Sequence, residues 1–155
     1  MVPLRLCVRS QDPAGSPEPD EHTMMCVTVP SDLDLVEHAV DLVARHCLAH
    51  GLPTRAVRFN LRVALSEALA NAIVYGNRLD PGKGVRVVLR CLGDKVEVHV
   101  RDQGRGFDHT RLPDPTAPDS LQRPEGRGIF LIRELVDDLA FNEEGNAICM
   151  TLHRA

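Results

Sequence analysis

Apolar residues recur along this chain in two rhythms, and each rhythm stops at residues able to stop it. Leu35, Val36, Ala39, Val40, Leu42 and Val43 fall at helical spacing, predicting a helix that ends near His50, ahead of Gly51 and Pro53. Ser31 is placed to cap it, and Asp32 and Asp34 suit the positive end of its dipole. A second and longer helix is expected from Thr54, a plausible cap, to about Tyr75. Its apolar stripe runs through Val57, Leu61, Ala64, Leu65, Ala68, Leu69, Ala72 and Ile73. A third, from Gly128 to Val136, is apolar on most sides and so should be buried. The other rhythm has a period of two, as in strands. It marks Met24 to Val29, Val85 to Leu92, Lys95 to Arg101, Leu139 to Phe141 and Ala147 to Leu152. Gly93-Asp94 makes a two-residue hairpin connection and Glu143 to Asn146 a turn. The order is strand, two helices, hairpin, loop, helix, hairpin. It predicts an α+β two-layer sandwich, with helices on one face of a mixed sheet.

Two stretches carry neither rhythm. Residues 1–21 open with a short alternating piece at Leu4, Leu6 and Val8 and continue through a proline-rich tract, so they read as a flexible lead-in to a domain spanning 22–155. His109 to Glu125 holds Pro113, Pro115, Pro118 and Pro124, as expected of a loop or lid. Composition narrows the picture further. A net charge of -4 gives no basic footprint for nucleic acid. No apolar run is long enough to span a membrane and no export signal opens the chain, so the expected location is the cytoplasm. The five cysteines are scattered without a C-x-x-C pair, which argues against a disulfide framework or a zinc site of the usual spacing. His46 and His50 lie at i, i+4 without an evident third ligand and read as solvated helix histidines.

Three polar clusters interrupt the apolar pattern. Glu67 and Asn71 sit four residues apart on the long helix, so both project to one spot, with small alanines around them. Asp102-Gln103-Gly104-Arg105-Gly106-Phe107 follows the strand that ends at Arg101. A carboxylate at a strand end beside two glycines lets backbone approach a ligand closely. Gly126-Arg127-Gly128 opens the third helix, where free amides and the dipole favour anionic groups. A helix, a strand end and a helix start in that order suggest one nucleotide site. No G-x-x-x-x-G-K-[ST] is present, so a P-loop is unsupported, and no helix starts directly after Asp102 to Phe107, as a dinucleotide fold would require.

Taken together, the motifs Glu67-Ala-Leu-Ala-Asn71, Asp102-Gln-Gly-Arg-Gly106-Phe and Gly126-Arg-Gly128-Ile-Phe-Leu-Ile resemble the ATP-binding fold of DNA gyrase, histidine kinases and mismatch-repair ATPases, the GHKL or Bergerat fold. Within that superfamily they are most similar to the stand-alone serine/threonine kinases that act as bacterial anti-sigma factors. The resemblance covers residues 22 to 153. It implies that Asp102 accepts a hydrogen bond from the adenine amino group, with Gly104 and Gly106 beneath the base. It implies that the Asn71 amide oxygen coordinates Mg2+ bridging the phosphates, and that Glu67 activates the attacking hydroxyl. Gly126, Arg127 and Gly128 would meet the phosphates. ATP and Mg2+ are then the implied cofactors. An anti-sigma-factor antagonist protein is the implied partner, with a sigma factor as a further candidate and a homodimer as a possible arrangement. One departure is Tyr75 followed by Gly76-Asn77, where many family kinases carry histidine. The alternatives are a non-catalytic ATP-binding module that sequesters a partner, and the detached catalytic domain of a two-component system.

Overall fold

The computed structural model describes residues 5–6, 22–106 and 124–154. The lid expected at His109 to Glu125 falls outside them up to residue 123, as does the lead-in except Arg5 and Leu6. The strands are β1 (Arg5–Leu6), β2 (Thr23–Pro30), β3 (Gly84–Leu92), β4 (Lys95–Arg101), β5 (Asp138–Phe141) and β6 (Ala147–His153); the α-helices are α1 (Val36–Ala49), α2 (Arg62–Asn71) and α3 (Pro124–Leu135). They form one sheet in the order β1-β2-β3-β4-β6-β5. The helices cover one face of it, as the two rhythms predict.

The sheet is antiparallel at every described pairing, not mixed. The reason lies in the connections. Between β2 and β3 the chain passes through two helices and so reverses direction three times, an odd number, which brings β3 back against β2. The β3–β4 and β5–β6 pairs are hairpins. β5 does run parallel to β4, but β6 lies between them and bonds to both.

Alternation along the strands decides what is buried. Val27 and Val29 of β2, Val85, Val87 and Leu89 of β3, Val96, Val98 and Val100 of β4, and Met150 and Leu152 of β6 face the helices. They meet Val40 and Val43 of α1, Leu65 and Leu69 of α2, and Ile132 of α3. A methyl-rich core of this kind supplies most of the folding free energy, at about 25 cal/mol per Å² of apolar surface removed from water.

Two details differ from expectation. Ser31 does not cap a helix: its hydroxyl donates to the Lys83 carbonyl (2.7 Å), and it is the Asp32 carboxylate that accepts the free amide of Asp34 (2.9 Å). Asp reaches over a short 3-10 turn, Leu33–Leu35, that precedes α1. The third helix begins at Pro124, four residues before Gly128, because proline tolerates the first helical turn where no amide bond is needed.

Candidate nucleotide site

The long helix is not uniform. Helical backbone begins at Thr54, and α2 is flanked by π-helical turns, Ala56–Leu61 before it and Ala72–Gly76 after it. Such wide turns concentrate at functional sites because they re-aim the side chains that follow. The second one ends the helix against the end of β4. The Asn77 amide donates to the Ala72 carbonyl (2.8 Å) and that of Leu79 to Ile73 (2.9 Å). Arg78 and Leu79 have φ of 53 and 59, a left-handed pair of non-glycine residues that costs energy unless held from outside.

Asn77 does the holding. It is 1% exposed, and its side chain binds three segments at once. The amide nitrogen donates to Ser31 Oγ (3.1 Å) and to the Gly84 carbonyl (3.0 Å), and the oxygen accepts from the Gln103 amide (2.8 Å). Gln103 in turn accepts from the Gly84 amide (2.8 Å). The end of the helix, the start of β3 and the residue after Asp102 are thereby fixed to one another.

Asp102 stands in this frame. Its backbone amide donates to the Asn146 carbonyl (2.9 Å) and its Oδ1 accepts from the Gly104 amide (2.7 Å). Oδ2 has no protein donor among the described residues. Burial pushes the carboxyl above its usual pKa of 3.8, against the opposing Gly104 hydrogen bond and the Arg101 and Lys83 charges. Three glycines are required around it. A side chain at Gly76 would collide with the Asp102 carboxylate, one at Gly104 with the Gly76 carbonyl, and one at Gly106 with the Glu144 carbonyl. Gly106 also has φ of 80, which an L-residue adopts only with strain.

These residues bound a cavity of about 460 Å³ between α2, α3 and the ends of β4 and β6, a size suited to a nucleotide. Asn71, Asp102, Gly104 and Gly106 all lie on its wall. So do Ala68, Ala72, Ile129 and Ile132, which give it an apolar side, and Arg78, Lys83 and Arg105, which give it cations. Glu67 lies beside the wall. A β-carbon on Gly128 would come within 2.8 Å of Asn71 Nδ2 and 3.1 Å of Glu67 Oε2. Gly128 is thus the bare surface of α3 that faces both polar side chains of α2. Since it lies in the second turn, its part here is a missing side chain more than a free helix-end amide. Neither the Glu67 nor the Asn71 side chain makes a hydrogen bond among the described residues, so within these residues both polar groups are open to a further partner. Gly126 is in the first turn of α3, and Arg127 is exposed and off the cavity wall.

Sequence reasoning missed Gly76, Asn77 and Lys83 as parts of this site. Gly76-Asn77 reads locally as a helix stop and Lys83 as part of a turn; Asn77 finds Ser31 and Gln103 at separations of 46 and 26 residues, beyond any local pattern. Tyr75, 45% exposed, does reach the cavity wall.

The family model for the histidine kinase-like ATPase domain matches residues 29–152. The chain belongs to that family. Among individual relatives, the serine-protein kinase RsbW of Bacillus cereus is 29% identical over 99 residues, 59% of this chain and 61% of the relative. The proteins of the same name from Bacillus thuringiensis subsp. konkukian and Bacillus mycoides are 29% and 28% identical over the same shares. The chain therefore spans somewhat under two thirds of the curated relatives it matches. The cavity lies within the residues matched by that family, between the helical layer and the strand ends. Among the described residues, no helix is long and apolar enough to cross a membrane.

Proposed function

We propose that this protein is an ATP- and Mg2+-dependent serine/threonine kinase of the anti-sigma-factor type, acting in the cytoplasm on a small antagonist protein in a partner-switching system. The observation that carries this reading is the meeting of Gly128 with Glu67 and Asn71 at the edge of the Asp102 cavity. A binding module needs the cavity; it does not need a carboxylate, unpaired among the described residues, beside the metal-type amide.

The residues fit the implied groups. Asp102 Oδ2, an acceptor with no protein donor among the described residues, suits the exocyclic amine of adenine and rejects a keto oxygen. The Asn71 amide oxygen is a neutral oxygen donor of the kind Mg2+ accepts alongside water and phosphates. Lys83, Arg78 and Arg105 surround the cavity with positive charge. ATP with Mg2+ supplies the transferable phosphoryl group. Glu67 orients the incoming serine or threonine hydroxyl and takes its proton, the contribution expected of a general base. The acceptor hydroxyl comes from the partner protein, with a sigma factor as a second binding partner and homodimerisation compatible with the reading. Gly126 and Arg127 belong to the phosphate side of the same site.

The test is transfer of labelled phosphate from ATP to candidate antagonist proteins encoded alongside this one. Wild-type protein should label a serine or threonine on one of them, and Glu67→Gln should bind ATP but label poorly. Tight ATP binding with no labelling of any partner it binds would favour a regulatory module that uses the nucleotide to set its shape.

A further inference from the structure

The face of the sheet turned away from the helices carries a cluster that nucleotide chemistry does not use. Alternation along β4 puts Val96, Val98 and Val100 in the core and sends Glu97 and His99 to the opposite face. In the adjoining strand Cys149 is the register partner of His99. Three residues of different chemistry, two of them 50 positions apart from the third or nearly so, are thus brought together by strand pairing alone. One ligand-type atom of each lies within 4.8 Å of the others. His99 Nε2 is 3.0 Å from Glu97 Oε2 and 3.6 Å from Cys149 Sγ.

We propose that Glu97, His99 and Cys149 form a binding site for a borderline-soft divalent cation of the zinc class, with a fourth position left to water or an exchangeable ligand.

The edge lengths carry the inference. For a tetrahedral centre with bonds of about 2.0 Å to nitrogen and oxygen and about 2.3 Å to sulfur, the nitrogen–oxygen edge is about 3.3 Å and the nitrogen–sulfur edge about 3.5 Å. The two observed edges differ from these by a few tenths of an ångström, which a small carboxylate rotation absorbs. The donor set selects the metal: thiolate with imidazole favours Zn2+ or Co2+ over Mg2+, so this site would not compete for the magnesium used with ATP. The surroundings resemble an outer shell. Arg90 Nη1 donates to Glu97 Oε2 (3.1 Å) and Lys95 lies 3.7 Å from Oε1, holding the carboxylate in place as hydrogen-bonded ligating carboxylates are held elsewhere. The same two cations offset part of the site's negative charge, which points to moderate affinity and an exchangeable metal. Spacing along the sequence argues against zinc because it registers only ligands close in the chain; a cross-strand site has no such signature.

The decisive measurement is a Co2+ titration of the metal-free full chain. One equivalent should produce a thiolate-to-cobalt charge-transfer band with the intense visible bands of tetrahedral coordination, and Zn2+ should bleach both. Zinc should also raise the melting temperature of the wild-type protein. Cys149→Ser should abolish the charge-transfer band, whereas Cys91→Ser should keep it. His99→Gln retains the thiol and should weaken cobalt binding by more than the roughly 10–100-fold cost of losing an outer-shell partner. No charge-transfer band at excess cobalt would overturn the proposal, as would a band that survives Cys149→Ser. If Cys149→Ser does not fold, unchanged cobalt affinity in His99→Gln overturns it equally.

Discussion

The two ends of the cavity are built on opposite principles. At the Asp102 end, backbone presses on backbone: Gly104 against the Gly76 carbonyl, Gly106 against the Glu144 carbonyl, and Gln103 pinned through Asn77. At the Gly128 end, a bare helix surface faces two side chains, Asn71 and Glu67, that no hydrogen bond restrains among the described residues. The first end can recognise a flat, rigid group because it cannot move. The second can follow a group that changes during a reaction, because only side-chain rotations are needed. Preorganisation and adaptability are divided along one pocket.

Substitutions can break this division, beginning with the largest effect. Glu67→Gln should leave ATP affinity nearly intact and lower phosphoryl transfer to a confirmed partner by a factor on the order of 10² or more; undiminished transfer would remove Glu67 from the chemistry. Asp102→Ala should weaken ATP binding by roughly 10- to 100-fold in calorimetry, since a hydrogen bond to a charged group contributes about 1.5–3 kcal/mol. Asn71→Ala should weaken only the Mg2+-dependent part. Equal affinity in all these proteins would refute the site assignment.

The glycines test rigidity directly. Gly106→Ala must place a β-carbon at positive φ against backbone that cannot yield, and should lose about 1–3 kcal/mol in denaturant unfolding. Gly128→Ala meets movable side chains and should unfold at nearly the wild-type denaturant concentration while losing nucleotide affinity. If both cost the same stability, the contrast between the two ends is wrong.

The smallest expected effect concerns pH. Asp102 has a folded-state pKa raised by burial, so the folded protein holds this proton more tightly than the unfolded chain does. Its stabilising contribution is complete below the unfolded pKa near 3.8 and is lost as pH rises through the higher folded value. Asp102→Asn keeps an oxygen for the Gly104 amide and carries no charge. It should therefore be slightly more stable than wild type at neutral pH, with no such gain in acid, while binding ATP poorly. A loss of stability at neutral pH would show that the ionised carboxylate is structurally needed.

Layering and most element boundaries were legible because burial repeats every second or every third to fourth residue, and the chain shows both periods plainly. Gly93-Asp94 joins β3 to β4 as its composition predicts, with Gly93 at φ of 63. Glu67 and Asn71 were legible as a pair because helix geometry alone brings i and i+4 together. What was not legible depends on contacts between distant segments. Ser31 looks like a cap until Lys83 and Asn77 compete for its hydroxyl. Gly76 looks like a helix stop until Asp102 lies on it. Strand direction was misjudged because a pattern of burial is the same read in either direction.

The position of β6 sets a timetable for assembly. It is the last of these strands in sequence, yet it lies inside the sheet, between β4 and β5. A nascent chain emerging from the ribosome can pair β3 with β4 as a local hairpin early, but the far edge of β4 stays open until Ala147 to His153 is available. Only then does the Asn146 carbonyl receive the Asp102 amide. Until that insertion the chain presents an unpaired strand edge, the kind of surface on which partly folded proteins associate wrongly. The cavity comes into being in the same event that removes this hazard, so nucleotide can select for chains that have completed it.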